Sequence, residues 1–320
     1  MSGLHSRKAV KVTKTEKKIK SPMLRETVET EQVLLTWEQM PDWYQDNEYI
    51  LSGYRSISGS YTHSFHSIYQ IHNETLNILS HLLASLLFLL LPVPIYNSII
   101  SRYATASTSD IVVFGVFFLG VVLSFLISAT YHLLSNHSSH IRALSCQLDY
   151  LGIVFLFWGS TIPYLYYGFF CTPHLQYLHY TTFSLLCAVV VSFTLNPSFR
   201  QPKYRTYRTM VYGALGASYL LPILHGVHVF GWETQWRRMS LGWMGVMLLF
   251  NGLGAIFYTM RIPEKWYPKT FDIVGASHQL MHFMTVFAAL ALLVGLLSAF
   301  DFAHGEGGVC GSEVSGFQYG

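Results

Sequence analysis

IVVFGVFFLGVVLSFLISATYHLL, residues 111–134, decides the fold. The stretch runs twenty-four residues without an Asp, Glu, Lys or Arg. About 20 apolar residues cross a bilayer as a helix. In hydrocarbon the backbone has no water to pair with, so a helix is the form expected. Working outward, similar runs cover 75–97, 146–170, 177–195, 210–230, 240–260 and 274–300. The expected fold is therefore an all-α membrane protein, a seven-transmembrane helix bundle. Pro163 and Pro222 fall inside the third and fifth runs and are expected to kink them.

Composition agrees. Of the 320 residues, 51% are hydrophobic and only 12% charged, against roughly 25% in soluble domains. The division expected is a basic, disordered cytosolic tail over 1–36, a cytosolic pre-bundle segment over 37–74, the bundle over 75–300 and a short external tail over 301–320. The tail has the charge to be attracted to anionic lipid. No cleavable signal peptide is expected, because the first apolar run comes late. Cys146, Cys171, Cys187 and Cys310 show no paired spacing, which argues against a thiol metal site or a disulfide framework. No nucleic-acid partner is expected.

Lys and Arg are segregated. The tail and alternate loops hold seventeen of the twenty; only Arg102, Arg237 and Arg238 lie on the other side. The positive-inside rule then puts the N-terminus in the cytosol and the C-terminus outside. The sequons at Asn73 and Asn136 would be cytosolic and unglycosylated.

Against this apolar background four residues stand out: His132, Asp149, His278 and His282. Ionisable groups inside a membrane are costly and mark function or a partner. The expected orientation brings all four to the cytosolic leaflet, with Asp149 about one turn into its span and both later histidines roughly 6–12 Å along theirs. His278 and His282, four apart, share a helix face and can chelate one ion. His132 supplies a third nitrogen and leaves a fourth position for water, as in catalytic zinc sites. Asp149 can then act as general base or as a direct ligand. Ser128, one turn before His132, either supports a ligand or steadies an oxyanion; packing at a helix contact is its bland alternative. For the others, the bland reading is a polar cluster holding helices together.

The remaining polar residues carry weaker signals. Asn77, Ser80 and His81 share a face of the first span that should point into the bundle. His72, His137 and His140 read as capping or solvated, and His225 and His228 as interfacial or pore-facing at the other end.

The stretches PDWYQDNEYILSGYR (41–55), IHNETLNILSHLL (71–83), SATYHLLSNHS (128–138), LDYLGI (148–153) and SHQLMH (277–282) together resemble the progestin and adipoQ receptor and haemolysin-III superfamily. The adiponectin-receptor-like branch with the fungal zinc-homeostasis proteins is the nearest in pattern. The resemblance covers residues 37 to 300 and implies a seven-helix bundle, N-terminus inside. It implies Zn2+ held by His132, His278 and His282, with Asp149 bonded to water and Ser128 as the family's motif serine. Ser56 and Leu79 depart from the family's proline and tryptophan, away from the proposed site. The resemblance further implies a ceramidase-like hydrolase whose partner is a membrane lipid, ceramide as substrate or fatty acid as product. The alternatives are a receptor for an external signal ligand with structural zinc, and a zinc transporter. The transporter is disfavoured because no acidic or histidine path leads to the outer leaflet. The plasma membrane and the endoplasmic reticulum both fit.

Overall fold

Residues 34–98, 101 and 103–305 are described in the computed structural model. The basic tail up to residue 33, the segment from residue 306 and Cys310 lie outside the described residues. The helices are α1 (Tyr61–His66), α2 (Thr75–Leu90), α3 (Pro92–Ser98), α4 (Thr108–Leu134), α5 (Ser139–Gly168), α6 (Pro173–Leu195), α7 (Arg205–Ala217), α8 (Leu220–Phe230), α9 (Trp232–Arg238), α10 (Leu241–Met260) and α11 (Ser277–His304). Among the described residues, seven spans are long and apolar enough to cross a membrane: α2 with α3, α4, α5, α6, α7 with α8, α10, and α11.

The ends differ from the sequence reading where polar residues begin a helix. α5 starts at Ser139, seven residues before the apolar run, because Ser138 caps it by accepting from the Ile141 amide at 3.4 Å. α11 starts at Ser277 rather than 274 and runs on to His304. α5 continues unbroken through Pro163. The fifth span does break, at Ser218–Tyr219. Ser218 lies four residues before Pro222, and a proline ring clashes with the carbonyl at i−4.

α4 packs against α5, α2 against α4, and α10 against α11. The α4–α5 approach is close because Gly120 meets Gly159: a Cβ on Gly120 would lie 2.9 Å from the Phe155 carbonyl oxygen. One turn further, Ser124 faces Gly152 in the same seam. Small residues let membrane helices approach in this way. Phe88, Phe117, Phe125, Leu296 and Phe300 fill the buried core. The pre-bundle segment has its own small core of Met40, Tyr44, Ile50 and Tyr54, closed by Ala276 at the start of α11.

Cys171 is disulfide-bonded, whereas Cys146 and Cys187 are free. A single cross-link depends on which segments meet in space, and spacing in sequence does not encode that.

Candidate metal centre

Three local devices bring the site together. The first fixes the end of α4. Arg55 is buried, and its guanidinium donates to the His132 and Leu133 carbonyls at 2.7 and 3.0 Å and to the Ser67 and Ser135 hydroxyls. Carbonyls at a helix C-terminus lack intrahelical partners, so a cation there is favourable. The second fixes the start of α11. Buried Glu264 accepts from the Ser277 amide at 2.8 Å and from the Ser277 hydroxyl, while Gln279 Oε1 accepts from the Gly275 amide. The third is the glycine–serine seam, which continues along α4 from Gly120 and Ser124 to Ser128 and His132.

His132, His278 and His282 converge. Their ring centroids are 4.8–5.0 Å apart pairwise, and one ligand nitrogen from each lies within 4.8 Å of the others. The set could hold a metal ion. His132 Nε2 is buried with no hydrogen-bond partner in the protein, a costly arrangement unless a ligand satisfies it. A nitrogen donor set of this kind suits zinc.

Ser128 and His132 are the side chains that act on the Asp149 carboxyl, so all five residues singled out in the sequence lie at one end of the bundle. Their positions along the helices differ from those counted along the apolar runs. Asp149 is ten residues into α5, about 15 Å along its axis, rather than one turn. His278 is the second residue of α11. The two differences arise because α5 begins well before its apolar run and α11 begins three residues after its own starts.

The sequence reading missed Glu74. Its Oε2 accepts from His132 Nδ1 at 2.7 Å and from the Asn77 amide at 2.6 Å. Burial favours the neutral acid, but the His132 ring and the Asn77 amide outweigh it and hold the Glu74 carboxyl below the usual carboxylate range. The available signal was the spacing of Glu74, Asn77 and His81, which fall on one helical face. That face does point inward: Asn77 and His81 are buried, and Ser80 Oγ lies 3.2 Å from His282 Nδ1. His81 stacks on His282, with centroids 3.7 Å apart and planes 9° from parallel. An imidazole lone pair lies in its ring plane, so two parallel stacked rings do not share one ion.

His72 is a buried cap. Its Nδ1 accepts from the Glu74 amide at 3.1 Å and its Nε2 faces the Ser67 carbonyl. Burial, with Arg55 nearby, pushes its pKa down to about 3. At the other end of the bundle, His225 Nδ1 lies 3.0 Å from His179 Nε2. Buried Asp110 there accepts from His304 and Tyr167 at 2.9 and 2.7 Å. That end is therefore more polar than the sequence reading allowed, as the long helices hide these partners from one another in sequence.

The comparisons with known proteins agree with this architecture. The family model for haemolysin-III-related proteins matches residues 69–293. The ADIPOR-like receptor IZH2 of Saccharomyces cerevisiae is 36% identical over 85% of this chain and 85% of its own length. The adiponectin receptor protein of Drosophila melanogaster is 37% identical over 81% of this chain, and the progestin and adipoQ receptor-like protein 1 of Caenorhabditis elegans is 33% identical over 88%. The chain spans 58% and 64% of the length of those two relatives. With its seven spans and buried histidine triad, the chain belongs to the haemolysin-III-related family as an adiponectin-receptor-like, multi-pass membrane protein.

Proposed function

We propose that the protein is a zinc-dependent intramembrane hydrolase acting on a lipid amide of the ceramide type, with its N-terminus and its metal centre on the cytosolic side. The observation that carries this reading is the buried triad with an unpartnered His132 Nε2 and a carboxylate beside it. A structural zinc site is closed by four protein ligands, whereas three histidines leave one position open. When bound, zinc lowers the pKa of water toward ~7 and polarises a carbonyl oxygen. Asp149 takes the proton from the attacking water as the C–O bond forms. It returns that proton to the amide nitrogen as the C–N bond breaks, giving fatty acid and free amine. Ser128 orients the Asp149 carboxylate. The amphipathic substrate enters laterally from the bilayer.

The test is acyl-chain release from pure ceramide by the purified protein. We expect Asp149→Asn to lower turnover by roughly 100- to 10,000-fold and His282→Ala to abolish it together with bound zinc. Equal release by wild type and both variants overturns the reading.

The relatives' names favour a second reading, a receptor whose zinc is structural and whose external ligand signals through the cytosolic face. It requires that zinc removal lower thermal stability while the wild type shows no turnover on any lipid amide.

A further inference from the structure

The outer partners of the metal centre come from α2, which supplies no ligand of its own. Glu74 directly precedes α2, and its Oε2 lies 2.7 Å from His132 Nδ1. An ionised carboxylate only accepts, so Nδ1 carries the hydrogen and Nε2 the lone pair. That is the nitrogen left buried without a protein partner. The carboxylate is itself held, since Asn77 Nδ2 donates to the same oxygen at 2.6 Å. Two further contacts fix the residue's backbone. The Glu74 amide donates to His72 Nδ1 at 3.1 Å, and Gln279 Nε2 of α11 donates to the Asn73 carbonyl at 3.2 Å. Along the helix from Glu74, Ser80 meets the Nδ1 of a second ligand, His282, at 3.2 Å.

We propose that Glu74 is a positioning residue for the metal centre: it fixes His132 in the tautomer and orientation that aim Nε2 into the space among the three imidazoles. The first span thereby becomes the scaffold of a site whose ligands sit on the second and seventh. A carboxylate behind a metal-bound imidazole also raises its basicity, and loss of such a partner typically weakens metal binding 10- to 100-fold. A structural ion pair joining α2 to α4 is the competing account, and it makes no demand on metal affinity.

The inference rests on the triad holding a metal, and not on the hydrolase reading. Its test is competition between the purified, folded protein and a chelator for Zn2+, with the visible spectrum of the Co2+-loaded protein as a second readout. We expect affinity to fall roughly 10- to 100-fold in Glu74→Ala. Glu74→Gln, whose amide oxygen still accepts from Nδ1, should fall less. Asn77→Ala should lie between wild type and Glu74→Ala, and serves if Glu74→Ala does not fold. The Co2+ spectrum should shift in the same order. Wild-type affinity and an unaltered spectrum in folded Glu74→Ala, or in Asn77→Ala where Glu74→Ala does not fold, would overturn the proposal. Absence of metal from the wild type would remove it together with the metal reading, whereas metal without turnover would remove the hydrolase reading alone.

Discussion

His81 shows how ring geometry separates a ligand from a neighbour. By residue type and burial it looks like a fourth ligand, since it is 5% exposed and neither ring nitrogen has a hydrogen-bond partner in the protein. The parallel stack on His282 excludes it from sharing that residue's ion. Its ring also packs on Phe125, with centroids 4.7 Å apart. A buried polar atom without a partner costs about 1–3 kcal/mol. His81→Leu is therefore expected to keep its metal and to melt at the wild-type temperature or above. Metal analysis and thermal melting in detergent check this. Loss of metal from a folded His81→Leu protein would mean that the stack is not the resting arrangement. Arg55 makes a related point. As part of GYR it reads as a motif letter, yet its work is to hold the two carbonyls that end α4, one of them belonging to His132 itself.

Among the elements, α4 and α5 approach closely through Gly120 and Gly159. Gly120 and Gly115 lie on the same helix, but an added Cβ meets backbone only at Gly120 and nothing within 4 Å at Gly115. Alanine raises helix propensity at either position by up to about 1 kcal/mol. The contact reverses the sign at Gly120. Gly115→Ala should be neutral or slightly stabilising, while Gly120→Ala should cost about 1–3 kcal/mol through overpacking and weaken Zn2+ binding, because His132 lies further along the same seam. Thermal melts of the two variants side by side decide it, and equal behaviour would show that the seam is looser than drawn. The seam also explains what was legible in the sequence. Seven apolar runs and an HxxxH pair can be read locally, because length and the helical repeat fix them. The cap at Ser138 escaped the reading because apolar runs mark bilayer thickness and not helix length. Glu74 escaped it because its role depends on His132, 58 positions away. The polar pairs at the far end likewise join residues on different helices, such as His179 with His225 and Asp110 with His304.

For the molecule as a whole, the prediction concerns which way the bundle faces. The proposed orientation, drawn from the charge asymmetry, has the metal-centre end in the cytosol, and native sequons at that end offer an apparent test. The structure weakens that test. Asn73 is 8% exposed and Asn136 2% exposed, and the Asn136 side chain donates to the Ser56 carbonyl and accepts from the Ser64 hydroxyl. Neither asparagine presents its amide to a glycosylating enzyme once the bundle has folded, so sugar there would have to be added while the chain inserts, and its absence alone does not fix the orientation. A decisive experiment needs sequons where the chain is accessible. One belongs in the connection between α3 and α4, at the far end from the metal centre. The other belongs in the connection between α6 and α7, at the near end. Expressed in microsomes, the first is expected to acquire glycan and the second to remain bare. Arg205 and Arg208 of the near-end basic group are buried, Arg205 paired with Asp46 at 2.7 Å and Arg208 bonded to the Phe199 carbonyl at 2.6 Å. Their contribution to orientation is therefore made while the chain inserts, before these contacts form. Replacing both should loosen the folded near end as well as weaken the bias. Glycan on the near-end sequon alone would reverse the orientation, and with it the assignment of the metal centre to the cytosolic leaflet.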